Sequence, residues 1–217
     1  MRTPFAAAFV AVLAWAAVAH AAPWSLELPA GYTEQPGAAD AEVEQLRKVA
    51  RTVSVDAQVY LSPDGSVRLT RMTWLSKFDV TPGRGSLDSL DRGVASGGAK
   101  HATKNLSATR QFVGEQLIGE QLLDVDGTRV HMKRIYAADT ANVVHMFTVV
   151  CAGPAEQLAD CEKAQASMQL TLPNQASLSG TPADEETSIA YVLGFATGVL
   201  VVVLAVVWLI RRARTRR

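Results

Sequence analysis

The most regular pattern along the chain runs from Thr52 to Leu61, where polar and apolar residues alternate strictly. A period of two predicts a β-strand with one buried face. A second strand is predicted from Val67 to Phe78, after a turn sequence rich in Pro, Asp and Gly. A three-residue loop, Pro63–Gly65, would place Val59 opposite Leu69. The match of apolar positions therefore predicts a hairpin in that register.

Three more alternating runs predict a meander of antiparallel strands at about Gln111–Val125, Thr128–Ala137 and Asn142–Cys151. Apolar residues at helical spacing predict helices at 40–51, from 86 onward and at 155–170, although Gly97-Gly98 weighs against the second half of the middle helix. Strands with helices between and after them predict an α+β domain. We expect an antiparallel sheet of hairpins with helices packed on it, an α/β sandwich.

An apolar segment near the N-terminus precedes this domain. It follows the single positive charge of Arg2 and ends in Ala19-His20-Ala21, a pattern of small residues. This order is typical of a secretory signal peptide, so residues 1–21 are predicted to be removed on export. The alternative is an uncleaved N-terminal anchor.

A second apolar segment, Ile189–Ile210, contains 22 residues and no charge. As a helix it would extend about 33 Å, enough to cross a hydrocarbon core of about 30 Å. Five arginines follow it in residues 211–217, and this basic flank is typical of the cytoplasmic side. The sequence thus predicts domain 22–172, a flexible spacer at 173–188, one C-terminal transmembrane helix at 189–210 and a basic tail.

Two further features concern that segment. Gly194 and Gly198 form a G-x-x-x-G motif, which lets two membrane helices approach closely and predicts a homodimer through the transmembrane helix. A spacer, an apolar segment and a basic tail also resemble a C-terminal sorting signal that is cut off during surface attachment. Leu172-Pro173-Asn174-Gln175-Ala176 matches the usual cleavage motif of such signals poorly.

Charge and cysteine content narrow the function classes. Without Arg2 and the tail arginines, 15 basic residues stand against 21 acidic residues, a net charge of −6. A nucleic-acid-binding domain would carry a basic face, so no nucleic-acid partner is predicted. Cys151 and Cys161 are the only cysteines, and in an exported domain this pair predicts a disulfide bond. Two buried free thiols are the alternative.

Three motifs carry candidate chemistry, and each has a simpler interpretation. Asp124-Val125-Asp126-Gly127-Thr128 looks like the nucleophile motif of haloacid-dehalogenase-type phosphatases, but an alternating run follows it, which favours a hairpin turn. The glycine-rich run at 93–100 lacks the Gly-Lys-Ser/Thr ending of a phosphate loop. His131 and His145 would face each other across a five-residue turn and could bind a metal. We predict partly exposed strand histidines there, and no cofactor.

The segment Trp24-Ser25-Leu26-Glu27-Leu28-Pro29-Ala30-Gly31-Tyr32 carries a family resemblance. With the hairpins and closing helix that follow, it resembles the PsbP-like and DcrB-like extracytoplasmic proteins. The resemblance implies an α/β sandwich that acts as a binding or accessory subunit, with no catalytic residues to transfer. A C-terminal membrane anchor departs from those families.

These observations predict a membrane-tethered extracytoplasmic binding or accessory domain that is not an enzyme. Its expected place is the outer face of a bacterial inner membrane, with the C-terminus in the cytoplasm. Its expected partners are the lipid bilayer and an envelope or membrane protein. The alternative is an exported hydrolase with an unrecognised active site, which a cluster of titratable side chains in a deep pocket would favour.

Overall fold

A computed structural model describes residues 23–49 and 51–180, together with Gly194. The predicted signal peptide, the basic tail and almost all of the predicted transmembrane segment lie outside these residues. No helix in the described part of the chain is both long and apolar enough to span a bilayer.

Seven strands form one antiparallel sheet, and two short strands pair separately. In chain order the strands are β1 (Trp24–Ser25), β2 (Thr33–Glu34), β3 (Thr52–Leu61), β4 (Arg68–Lys77), β5 (Lys104–Val113), β6 (Gln116–Val125), β7 (Thr128–Ala138), β8 (Val143–Gly153) and β9 (Gln169–Leu170). The sheet order is β2-β3-β4-β8-β7-β6-β5, and β1 pairs with β9. The helices are α1 (Asp40–Arg47), α2 (Arg84–Lys100) and α3 (Ala159–Ala166), with a 3-10 turn at Ala155–Gln157.

The predicted α+β class is wrong, because strands account for 45% of the structure and helices for only 23%. The domain is mostly β and is built on one large sheet. One reason is the stretch predicted as a single strand at Gln111–Val125. It folds as a hairpin of β5 and β6 around Gly114, whose φ of +59° suits the turn. A second reason is the last predicted helix, of which only α3 and the short 3-10 turn are helical.

The register predicted for the β3–β4 hairpin is also wrong. Val59 lies opposite Thr70 rather than Leu69. The Ser62 amide donates to the Val67 carbonyl, so the loop that closes the hairpin contains four residues, 63–66, and not three. The Asp64 carboxylate fixes this longer loop, because it accepts hydrogen bonds from the Ser62 hydroxyl at 2.6 Å and the Ser66 amide at 2.9 Å. These bonds hold the pKa of Asp64 below its ordinary value. Both faces of β4 are covered, so Thr70 is buried as readily as an apolar residue.

The sheet separates two hydrophobic cores. On one face, α1 and α2 cover the central strands with Leu46, Leu87 and Leu90. On the other face, α3 and the β1–β9 pair bring Leu158 and Leu170 against the sheet. Strand β8 contributes alternate residues to both cores, so it is buried on both sides almost throughout.

The chain stays packed on the domain beyond Leu172. Ala176 and Leu178 are buried in the core under α2, and the amide of Ala176 donates to the carbonyl of Ala138 at 2.8 Å. The first residues of the predicted spacer, up to Gly180, therefore belong to the described fold.

A buried ion pair joins α2 to the sheet. The Arg134 Nε of β7 donates to the Asp91 Oδ1 of α2 at 2.6 Å, and both side chains are fully buried. Gly119 on β6 makes room for it, since a Cβ there would overlap the Asp91 carboxylate. Burial alone would lower the pKa of Arg134, but the negative charge of Asp91 outweighs it, so the guanidinium stays charged. Burial, reinforced by Asp91, raises the pKa of neighbouring Tyr136 well above its ordinary value.

The middle helix runs through both glycines of Gly97-Gly98, which are buried. The predicted apolar stripe of Leu87, Leu90 and Val94 is confirmed, and the helix continues through the glycines that weighed against its second half.

The ion pair gives a stability prediction. Replacing Asp91 by Ala leaves the Arg134 charge buried without compensation, which should lower the free energy of unfolding by about 3–5 kcal/mol. The double variant Asp91→Leu/Arg134→Met should recover much of that loss, because it buries no charge. Urea unfolding of the purified chain measures both effects.

Asp88→Ala is the matched control, since Asp88 lies on the same helix but its ion pairs with Arg92 and Arg110 are partly exposed. It should cost only about 0–1 kcal/mol. An Asp91→Ala loss no larger than the Asp88→Ala loss would contradict a structural role for the buried pair.

The disulfide between Cys151 of β8 and Cys161 of α3 gives a second prediction. Closing a loop of about 10 residues stabilises a fold by about 2–3 kcal/mol on the chain-entropy estimate. Cys151→Ala and Cys161→Ala should each lower the free energy of unfolding by about this amount. Because either change breaks the same bond, the double variant should cost little more than one single variant. Fully additive losses, or two alkylatable thiols in the native protein, would contradict the bond.

Candidate functional site

The two edges of the seven-stranded sheet differ in how they are covered. At one edge, β2 pairs with Tyr60 and Leu61 at the end of β3, and the Gln35 amide donates to the Val59 carbonyl at 2.8 Å, so the outer side of residues 52–58 has no pairing strand in the described chain. At the other edge, no strand of the described chain pairs with the outer side of β5. The β5 edge is therefore open along its whole length, whereas the β3 edge is covered at one end.

Strand β5 is exposed along nearly its whole length. Nine of its ten residues are exposed, and only Phe112 is half-buried. Two of the exposed side chains are large and apolar, Leu106 at 43% and Val113 at 55%. An edge strand offers a row of main-chain donors and acceptors to an added strand, so this edge can bind an extended peptide.

Basic side chains accompany this edge. Asp88 of α2 forms ion pairs with both Arg92 at 3.2 Å and Arg110 at 3.3 Å, so two guanidinium groups share one carboxylate. Arg84 lies over the ring of Phe112 at 4.9 Å, and Lys104 is exposed at the start of β5. We call Arg84, Arg92, Lys104 and Arg110 the basic strip. It lies on a domain whose net charge is negative, so the strip favours an acidic partner segment.

Features of β5 also limit self-association. The register between β5 and β6 shifts between Asn105 and Ser107, which places a bulge at Leu106. Bulges and charges on edge strands disfavour pairing between copies of the same sheet. Two β5 strands would bring only cations, Lys104 and Arg110, to their shared ladder.

The structure does not bring His131 and His145 together. His131 lies opposite Cys151, and His145 lies opposite Ala137, so the two histidines are not cross-strand partners. Each imidazole instead bonds a carboxylate at 3.1 Å: His131 Nδ1 meets Glu162, and His145 Nε2 meets Asp139. Within residues 23–49 and 51–180, no three or more His, Cys, Asp or Glu side chains cluster as a metal site would require.

The motif at 124–128 is a hairpin turn, as predicted from its Asp-Gly dipeptide. Asp126 and Gly127 connect β6 and β7 with φ values of +50° and +82°. The Asp124 carboxylate accepts a hydrogen bond from the Gly127 amide at 3.0 Å, which secures the turn. The glycine-rich run at 93–100 forms the end of α2, not a loop.

The remaining predicted residues fall in different parts of the chain. Cys151 and Cys161 form the predicted disulfide, which fits an exported protein. Gly194 is buried, and a Cβ there would overlap the carbonyl of Leu90 in α2. Gly198 lies outside the described residues, so the dimer motif stays a prediction.

Sequence reasoning missed β5 as a strand. Its residues do not alternate between apolar and polar, because both of its faces are largely exposed and no burial shapes the pattern. The available signal was the turn at Gly114-Glu115 between two apolar pairs, Phe112-Val113 and Leu117-Ile118.

No family model and no curated protein matches the chain, so the resemblance to PsbP-like and DcrB-like proteins has no family-level support. Among the similar solved structures is LpqN, involved in cell envelope biogenesis of Mycobacterium tuberculosis, which matches over 69% of this chain and 83% of its own, with 11% sequence identity and a TM-score of 0.41. A likeness this distant carries no conclusion about fold or function.

The Asp139–His145 pair gives a pH prediction. Partial burial would raise the pKa of Asp139, but hydrogen bonds from the Val143 amide, His145 and the Ala141 amide outweigh it and lower that pKa. A lowered folded-state pKa contributes stability above the unfolded value of about 3.9, and this stability is lost as the pH falls through the folded value.

Asp139→Asn should therefore lower the free energy of unfolding at pH 7, and the difference from the wild type should shrink at pH 2–3. Urea unfolding at the two pH values measures it. Glu156→Gln, at an exposed position, serves as the control and should change stability by less than about 0.5 kcal/mol. A deficit of equal size at both pH values would contradict the ionised hydrogen-bonded carboxylate.

Proposed function

We propose that this protein is a non-catalytic binding or accessory domain that works outside the cytoplasm and binds a partner protein at the β5 edge. The partner would add an extended, acidic segment to the sheet and lie along the basic strip. The domain would lie at the outer face of the inner membrane.

Export is supported by the order of residues at the N-terminus and by the disulfide. A basic start, an apolar run and Ala19-His20-Ala21 are typical of a secretory signal peptide. The bond between Cys151 and Cys161 is of a kind that forms and persists in oxidising compartments. The position at the membrane is supported by the basic flank in residues 211–217.

The observation that carries the binding role is the contrast between the two sheet edges. Strand β2 covers the β3 edge at Tyr60 and Leu61, whereas all ten residues of β5 present their outer side without a pairing strand in the described chain. Main-chain hydrogen bonds to an added strand would supply affinity, and side-chain pockets along the edge would supply selectivity. Leu106 and Val113 offer apolar contacts, while Lys104 and Arg110 favour acidic residues.

The alternative function, an exported hydrolase, is weighed on the hydrogen-bond partners of the two strand histidines. A hydrolase of the nucleophile type needs a hydroxyl or thiol within hydrogen-bond reach of a base. In the described part of the chain, His131 and His145 are each hydrogen-bonded to a carboxylate and to no hydroxyl or thiol.

Site-specific photo-crosslinking in intact cells tests the proposal. A photoreactive residue at Gln111 on β5 should give a discrete crosslinked partner, whereas one at exposed Val53 on the opposite edge should give none. Adding Thr109→Asp should reduce the Gln111 crosslink, because the new carboxylate on β5 would repel the acidic side chains of the partner segment. Thr109→Lys is the matched control and should leave the crosslink intact.

Thr109 is exposed and lies opposite Glu120 on β6, so Thr109→Asp should lower the free energy of unfolding by about 0.2–1 kcal/mol and Thr109→Lys should lower it less; urea unfolding checks that both variants are folded. Equal crosslinking from Gln111 and Val53, or crosslinking from neither position, would contradict binding at this edge. A crosslink reduced by Lys but not by Asp would contradict the acidic partner.

A further inference from the structure

We propose that a cavity between the β1–β9 pair and the sheet binds a small neutral alcohol, with a single aromatic ring or a chain of four to six carbons. The cavity has a volume of about 160 Å³. It is lined by Trp24, Thr73, Leu75, His145, Phe147 and Leu170, among others. This site lies on the sheet face covered by α3 and is separate from the β5 edge.

The walls of the cavity are held in place from several sides. Trp24 pairs with Leu170 across the β1–β9 ladder, and the Thr171 amide donates to the Pro23 carbonyl at 2.6 Å. The Trp24 ring packs against Phe147 with 5.4 Å between ring centroids. Arg71 lies over the Trp24 ring at 3.8 Å, so the indole is fixed without a ligand. Because the walls are already ordered, binding a ligand in this cavity should cost little conformational entropy.

The size of the cavity limits its occupant. Apolar protein cavities of about 150 Å³ bind benzene, so this one holds one ring or a short chain. Most of the lining is apolar, which favours a hydrocarbon group over an ion.

One polar pair interrupts the apolar lining and sets the class of ligand. His145 lines the cavity, and its Nε2 is hydrogen-bonded to Oδ2 of Asp139. The other carboxylate oxygen of Asp139, Oδ1, accepts hydrogen bonds from the Ala141 and Val143 amides at 2.8 and 2.9 Å. The imidazole can exchange a hydrogen bond with a hydroxyl group. A ligand carboxylate would meet the nearby negative charge of Asp139, so a neutral alcohol fits better than an acid.

Benzyl alcohol is the probe, and the full chain in lipid nanodiscs is the protein. Labelling the tryptophan indoles with nitrogen-15 gives an NMR signal for Trp24, which Trp24→Phe identifies by its loss. We expect that signal to shift with benzyl alcohol concentration and to saturate. Toluene should also shift the Trp24 signal to a saturating value, whereas benzoate at the same concentrations should give no saturable shift.

Two variants and a control make the test specific. Leu75→Trp should fill the cavity and abolish the saturable shift. Leu122→Trp is the matched control, because Leu122 is equally half-buried on the same face of the sheet, on β6 and outside the cavity. His145→Phe should weaken benzyl alcohol about tenfold, the effect of losing one hydrogen bond of about 1.4 kcal/mol, and leave toluene unchanged.

The remaining NMR spectrum reports whether each variant is folded. A shift that rises linearly in the wild type, as partition into lipid would produce, overturns the cavity as a binding site. So does saturation that survives in folded Leu75→Trp. A saturable Trp24 shift with benzoate would overturn the alcohol as the ligand class. So would an equal loss of affinity for toluene and for benzyl alcohol in His145→Phe.

Discussion

The constraint on which this fold depends is that its central strands are buried on both faces. Strand β8 sends Met146 and Val150 into one core and Phe147 and Val149 into the other. A strand of this kind is stable only when both sides of the sheet are covered. Helices α1 and α2 cover one side, and α3 with the β1–β9 pair covers the other. Solvent therefore reaches the sheet mainly at its edges, and among the described residues the β5 edge is open along its whole length.

The cover on each face is fixed by a different kind of bond. On one face the buried Asp91–Arg134 ion pair fixes α2 over the central strands, and Gly119 provides the space it needs. On the other face the disulfide fixes α3 to β8. A buried ion pair is strongly destabilising when one partner is lost, even where the intact pair adds little net stability. The pair therefore fixes where α2 lies on the sheet. Because both covers are fixed, β5 and the cavity beside Trp24 keep their shapes.

The sequence pattern predicted the parts of the fold where one face is buried. Strand β6 alternates between buried and half-buried residues along all ten positions, and α2 has a stripe of buried leucines. The pattern failed where burial is on both faces or on neither. Thr70 is buried on a doubly covered strand, which defeated the register argument, and β5 has no buried face to predict. The cavity could not be predicted, because Trp24 and Leu170 are far apart in sequence and meet only through the β1–β9 pair.

On this account a partner strand occupies the β5 edge, while the β3 edge does not change. Hydrogen–deuterium exchange measured by mass spectrometry, on native membranes and on the purified protein, tests this most directly. Main-chain amides of 104–113 should exchange more slowly in the membranes than in the purified chain, whereas exchange of 52–61 should be the same in both. Equal exchange of 104–113 in the two preparations would contradict the account.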